Sequence, residues 1–237
     1  MISETTEYPV KRPLMFQGWR RLTFLHWRYR PEVIRPLVPD ALELDLFDGA
    51  AFVGLTPFIL TELRPPGLPA LPWISQFPEM NVRTYVRGPD GERGIWFFSL
   101  EADRLAAVLG ARISYGLPYR WAEMRVRDGA GNIEYESRRH AGPGQANIAI
   151  RIGAAIRPDE LSCFLTARFR LYTRLAGSLA FAPVDHPPWP LQSATVLRLE
   201  QNVLQHSGLP PVHGEPTAYF SPGVYVRVGR PRFVTLA

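Results

Sequence analysis

The chain has 237 residues, 46% of them hydrophobic and 21% charged, which is long and apolar enough for a sizeable core and ordinary for a globular domain. Its single cysteine excludes an internal disulfide and a multi-cysteine metal site. The net charge of +5 comes from scattered residues with no basic run of three, so nucleic acid is not an expected partner.

Residues 1–13 form a polar stretch with no apolar export signal and are expected to be a flexible N-terminal arm on a single domain spanning 1–237. No apolar run reaches membrane-spanning length, and a cytoplasmic protein without membrane contact is expected. "GWRRLTFLHWRYR" reads as a strand ending at Pro31, and "PEVIRPLVP" as a short helix with Pro31 in its first turn. "ALELDLFDGAAFVGLTPFIL" contains a hairpin signal at Asp48-Gly49. The Pro-rich 64–72 stretch reads as a long loop within one domain.

Residues 79–87 alternate with the two-residue period of a strand. One face carries Met80, Val82, Thr84 and Val86; the other carries Glu79, Asn81, Arg83, Tyr85 and Arg87. Such a polar row either faces water or walls an enclosed site, and the sequence leaves both readings open. A turn at "PDGERG" returns the chain through "IWFFSL". "LEADRLAAVLGAR" reads as a helix with acids at its start and a glycine near its end, and "PDELSCFLTA" as another. "DGAGN" joins two further strands, "TAYF-SPG-VYVRVG" reads as a hairpin, and 194–207 fits either strand or helix. Arg168, Arg170 and Tyr172 form a second alternating polar face, for which solvent is the favoured reading. Together these give an α+β, β-dominated, antiparallel domain with a few short helices.

"FPEMNVRTYV", "ARISYGLPY", "FLTARFRLY" and "DHPPWPL", in that order, resemble the bacterial YqjF-like family, with "FLHWRYRPEVIRPLVP" and "LDLFDGAAFVGLTPF" matching its N-terminal part. That family in turn resembles, more distantly, the acetoacetate decarboxylase-like superfamily. The resemblance implies a cone-shaped β-barrel holding a small-molecule pocket, within a homo-oligomer. Where the decarboxylase carries its Schiff-base lysine, this chain has Gly116-Leu117-Pro118-Tyr119-Arg120, so Tyr119 stands at the nucleophile position and Arg120 at that of the neighbouring cation. Glu79 corresponds to the active-site glutamate. The only lysine of the chain is Lys11, against 26 arginines, and arginine does not lose the proton that imine chemistry requires it to lose.

What this implies is a barrel pocket for a small organic anion of the keto- or hydroxy-acid type, with lyase- or isomerase-like acid/base chemistry and no imine. Glu79 and Tyr119 are the expected catalytic pair; Asn81, Arg83, Tyr85, Arg120, His26 and His186 are the expected substrate-binding residues. For His26, a satisfied core histidine is the competing reading, and for His186 a packed loop. No metal site and no cofactor is expected, because the histidines are dispersed and no phosphate-binding glycine loop is present. A ligand sensor without turnover is the alternative function. A homodimer is expected from exposed β edges and from tryptophans such as Trp73, Trp121 and Trp189.

Overall fold

The computed structural model describes residues 2–235; Met1 and residues 236–237 lie outside the described residues. Thirteen strands appear in chain order: β1 Met15–Tyr29, β2 Glu43–Leu44, β3 Ala51–Arg64, β4 Phe77–Arg87, β5 Arg93–Ala102, β6 Tyr119–Gly129, β7 Asn132–Arg139, β8 Gln145–Ala155, β9 Arg170–Leu175, β10 Ser178–Asp185, β11 Gln192–Gln201, β12 Thr217–Val228 and β13 Arg232–Phe233. Three short helices accompany them: α1 Pro31–Ile34, α2 Leu105–Tyr115 and α3 Glu160–Thr166. The β-dominated class read from the sequence holds.

The strands follow the order β13-β10-β9-β5-β6-β7-β8-β11-β12-β1-β3-β4-β2, and the additional pairings β5–β4 and β10–β12 bend this sheet into a closed ring of strands. Because both additional pairings involve strands already paired elsewhere, β12, β1, β3, β4 and β5 serve as a wall common to two hydrophobic cores. One core gathers Phe24, Phe58, Tyr85, Leu100, Phe164 and Val226; the other gathers Leu25, Val53, Val82, Tyr135, Ile148 and Phe220. Residues 24 and 25, or 82 and 85, thus point to opposite cores, as strand alternation dictates.

A wall buried on both sides explains the run "AAFVGLTPFIL", which shows no hydrophobic–polar alternation because neither face meets water. It also decides the open question about β4. All of Glu79 to Val86 is buried, so the polar row is enclosed as far as Tyr85, while Arg87 at its end reaches water.

Several expectations are corrected by the pairing. The sheet is mostly antiparallel, but β5 runs parallel to both β6 and β9, with α2 as the crossover from β5 to β6. The Asp48-Gly49 turn forms, yet β2 pairs with β4, leaving only a Phe47–Ala50 bridge in place of a hairpin. Residues 217–228 are one strand whose two halves both pair with β1; Ser221-Pro222-Gly223 is an irregularity within it. Gly223 is required there, with φ at +126° and the position of a Cβ overlapping the Trp19 carbonyl. Glu101 belongs to β5, and α2 starts later than its acids suggested, at Leu105.

The N-terminal arm has no strand or helix of its own but is laid against the domain. Val10 is buried and its N–H donates to Asp185 Oδ2 at 3.2 Å, while Ile2 packs on the first core.

Candidate functional site

Five strands build the inner wall. In register, Gly54 of β3 faces Arg83 of β4, Thr56 faces Asn81 and Phe58 faces Glu79. On the other side of β3, Gly54 faces His26 of β1. Beyond β4, Leu100 and Ala102 of β5 oppose Asn81 and Glu79, and Leu100 in turn opposes Tyr119 on β6. Tyr119 reaches this wall because α2 closes at Gly116 in the left-handed conformation (φ 65°), after which Leu117-Pro118 leads the chain into β6. A side chain at position 116 would overlap the Arg174 carbonyl, so the turn accepts only glycine.

The Tyr119 hydroxyl donates to Glu79 Oε2 at 2.9 Å, joining the two residues expected to be catalytic. Burial pushes the Glu79 carboxyl up to about 8, opposed by the Tyr119 hydrogen bond and reinforced by the Glu101 charge. At neutral pH Glu79 therefore holds a proton and is an acid; it becomes a base only in alkali. Burial and the Glu79 carboxyl together hold the Tyr119 phenol well above its ordinary value.

His26 and Tyr85 form a second linked pair. The Tyr85 hydroxyl donates to the Leu165 carbonyl at 2.7 Å and lies 2.6 Å from His26 Nε2. Since the phenol has one proton and gives it to Leu165, His26 must donate from Nε2, which leaves Nδ1 as a bare acceptor. Burial, with the charges of Arg83 and Arg168 adding, drives the imidazole well below its usual value and keeps it neutral.

Arg83 is buried, its Nη2 only 3.5 Å from the Leu165 carbonyl and its guanidinium 5.6 Å from the centre of the Phe24 ring. Four side-chain atoms on this wall lack a protein partner: His26 Nδ1, Thr56 Oγ1, Asn81 Oδ1 and Arg83 Nε. Buried polar atoms are usually paired, and four unpartnered ones on neighbouring positions of one face offer hydrogen bonds that a water or a small ligand could take up.

Gly54 makes room for this arrangement. A Cβ at that position would lie 2.9 Å from His26 Nε2 and 3.5 Å from Arg83 Cγ. Gly54→Ala should therefore displace the imidazole from Tyr85 and cost roughly 1–3 kcal/mol, as overpacking does. Equilibrium denaturation checks this, and an unchanged midpoint would refute the crowding argument.

The remaining candidates divide. His186 is buried, its Nδ1 2.8 Å from the Pro187 carbonyl, and its ring sits 4.8 Å from Phe169 and 5.0 Å from Trp189. Trp189 meets Phe24 edge-on at 5.2 Å, and Phe24 stacks on His26, so His186 reaches the wall through aromatic packing. Arg120 is corrected: it is exposed and on the face opposite Tyr119, beside Glu101 in the β5–β6 register. Lys11 is exposed too, lining a surface cleft of about 1440 Å³ with Arg12, Arg87, Arg93 and Arg170.

Arg168, read from the sequence as solvent-facing, is instead buried. Its Nη1 lies 2.6 Å from Asp45 Oδ2, and its guanidinium stacks 4.8 Å from the Tyr85 ring centre. It brings a second cation beside Tyr85 and His26. Thr56 was also missed, although a lone hydroxyl within a continuous apolar strand was a readable signal.

Comparison with known proteins agrees with this architecture. The MppR enzyme of enduracididine biosynthesis, solved in complex with pyruvate, superimposes with a TM-score of 0.68 at 13% identity, covering 98% of each chain. The acetoacetate decarboxylase of Legionella pneumophila gives 0.67 at 14% identity, covering 97% of this chain and 92% of that one. These likenesses establish the acetoacetate decarboxylase-like fold. In sequence, the chain is 37% identical over 217 residues to the uncharacterized protein YqjF of Bacillus subtilis (strain 168), covering 88% of this chain and 87% of that protein. Residues 16–225 match DUF2071, described as "Uncharacterized conserved protein (COG2071)", and the chain belongs to that YqjF-containing family.

Proposed function

We propose that the inner wall binds a small organic anion with a carboxylate and a neighbouring carbonyl or hydroxyl oxygen, a keto or hydroxy acid. The four unpartnered atoms of His26, Thr56, Asn81 and Arg83 carry this reading. Arg83 supplies the positive charge for the carboxylate, with Arg168 reinforcing the field. His26 Nδ1 and Asn81 Oδ1 are acceptors and favour a ligand that also carries a hydroxyl or enol proton.

Protonated Glu79, linked to Tyr119, is suited to donate to the oxygen that becomes negative as the ligand enolises, while the bare Nδ1 of His26 takes the proton that leaves the carbon. The chemistry is then acid/base, of lyase or isomerase type, and uses no amine. Pyruvate, named for the MppR structure, is of the ligand class proposed here. A homo-oligomer is part of the same proposal.

Thermal-shift titration with pyruvate, acetoacetate, lactate and malonate tests the binding. At least one should raise Tm saturably; a ligand at a hundred times its Kd adds about 2.7 kcal/mol. The isosteric Thr56→Val and the charge-removing Arg83→Met should reduce the shift. No shift with any acid, or an equal shift in both variants, would refute the site. Turnover assays on each binding acid then separate an enzyme from a sensor.

A further inference from the structure

We propose that the cleft between the N-terminal arm and β10 binds an oligophosphate, a chain of two or more linked phosphate groups. The cleft has a volume of about 1440 Å³. That is more room than the ~300–1,000 Å³ of an ordinary small-molecule pocket, and a keto acid would be held there loosely. Seven of the side chains lining it are cationic, and only Glu7 and Glu92 are acidic. The basic residues are dispersed along the sequence, yet the fold gathers these from the arm, from β4, β5 and β9, and from the segment after β12.

The register of the sheet fixes part of this arrangement. Arg170 of β9 is opposite Pro183 of β10, and Arg232 of β13 is opposite Phe181. Residues 181 and 183 share one face, so both arginines rise from that face, one on each side of β10. Two strand spacings separate their backbones, roughly 10 Å. The Arg170 guanidinium lies 4.4 Å from the centre of the Phe181 ring, which makes that ring part of the floor. The other cations sit on tethered backbone. Val10 N–H donates to Asp185 Oδ2 at 3.2 Å and Leu14 N–H to the Val228 carbonyl at 2.8 Å, so Lys11 and Arg12 occupy a span tied at both ends. Gly229 N–H donates to the Pro183 carbonyl at 2.8 Å, immediately before Arg230.

Lys11, Arg12, Arg230 and Arg232 are exposed and make no ion pair among the described residues. Arg170 pairs with Asp90 at 2.6 Å, and Arg87 and Arg93 are held by Asp45, so these three add to the field behind the four. The outer face of β6 and β7 is different. There Arg125, Arg127 and Arg138 are matched by Glu123, Glu134 and Glu136. Arginine is balanced on that face and outnumbers the acids in the cleft. Cations converging from several sides suit an anion whose charge repeats along its length. Linked phosphates provide this, each with oxygens that a guanidinium fork or an ammonium takes. A single carboxylate reaches few of these groups at once. The concave shape argues against long nucleic acid, whose backbone is followed by a stripe of cations. Tyr8, 62% exposed on the arm, offers its ring to a nucleobase, so a nucleotide is one source of the phosphates and a free phosphate chain the other. The inference goes beyond the inner-wall reading and does not depend on it.

Calorimetric titration of the full chain with tripolyphosphate tests it. Binding should saturate at one site per chain and weaken as salt is raised. Arg230→Gln/Arg232→Gln should lower the affinity roughly tenfold or more and leave the unliganded Tm unchanged, since both side chains are exposed. Lys11→Gln/Arg12→Gln, on the arm, should do the same. Arg151→Gln/Arg157→Gln removes the same net charge from exposed positions outside the cleft and should keep the affinity within about twofold. Titration with ADP and ATP identifies the source. Tighter binding that Tyr8→Ala abolishes marks a nucleotide, equal binding marks the phosphate chain by itself, and both uphold the site. No binding of any of the three overturns the proposal, as do equal losses in the cleft and control variants. Equal affinity for citrate, or retention on DNA that tripolyphosphate does not displace, overturns it too.

Discussion

Asp45→Ala is expected to destabilise the fold by roughly 3–5 kcal/mol, the cost of leaving a buried cation unpaired. Asp45 is almost fully buried and takes three guanidiniums: Arg168 at 2.6 Å, Arg87 at 2.9 Å and Arg93 at 3.3 Å. Arg87 and Arg93 have access to water and would swing away at little cost. Arg168 does not. Burial pulls its guanidinium down to about 10 despite the opposing pull of Asp45, and one of its nitrogens, Nη2, already lacks a partner. The damage should reach the site, since Asp45 N–H donates to the Tyr85 carbonyl and Arg168 stacks on the Tyr85 ring. Urea denaturation of Asp45→Ala and of Asp45→Ala/Arg168→Met checks the cause. The double variant should recover a large part of the loss, because it removes the stranded charge. A single variant that loses under about 1 kcal/mol would show that water reaches Arg168 after all.

The contrast between β4 and residues 168 and 120 shows what a sequence carries. The order of polar residues on β4 follows from strand periodicity alone, and so their common face was legible. That the face is enclosed was not legible within β4, because enclosure is decided by what lies opposite. The clue was in the neighbouring strand, where "AAFVGLTPFIL" has no wet face at all. Arg168 was misread because its partner Asp45 is 123 residues away and no local pattern joins them. Arg120 was misread for another reason. Motif correspondence transfers positions along the chain, whereas alternation places Tyr119 and Arg120 on opposite faces, and the second rule decides. The segment 217–228 shows a turn signature losing to tertiary context. Ser-Pro-Gly can reverse a chain, but β1 offers pairing on both sides of it, with its own irregularity at Arg21 (φ 50°) matching the break.

The Glu79 carboxyl should make the stability of this protein fall as pH rises through the neutral range. In the unfolded chain it titrates near the ordinary 4.5, and in the fold at about 8. Between those values the native state keeps a proton that the unfolded chain has released. Stability is therefore greatest below about 4.5 as far as this group is concerned, declines across the window, and levels off above 8. At 1.36 kcal/mol per unit the full effect approaches roughly 5 kcal/mol, an upper figure because an ionised Glu79 would draw in water. His26 and His186 act in the other direction. Both are held neutral by burial, so protonating them in the unfolded chain removes stability as pH falls below about 6.5. Glu101, also raised by burial but set against Arg139 at 2.5 Å, adds to the decline with rising pH. The raw profile is thus a sum, and the difference from Glu79→Gln isolates one member of it. Glutamine reproduces the shape of the protonated acid but cannot ionise. The variant should match the wild type within about 1 kcal/mol near pH 5 and exceed it by several kcal/mol at pH 9. Denaturation midpoints across that range measure the gap. A gap that stays constant with pH would mean that Glu79 ionises normally, and the proton proposed for donation to a bound keto acid would not be there.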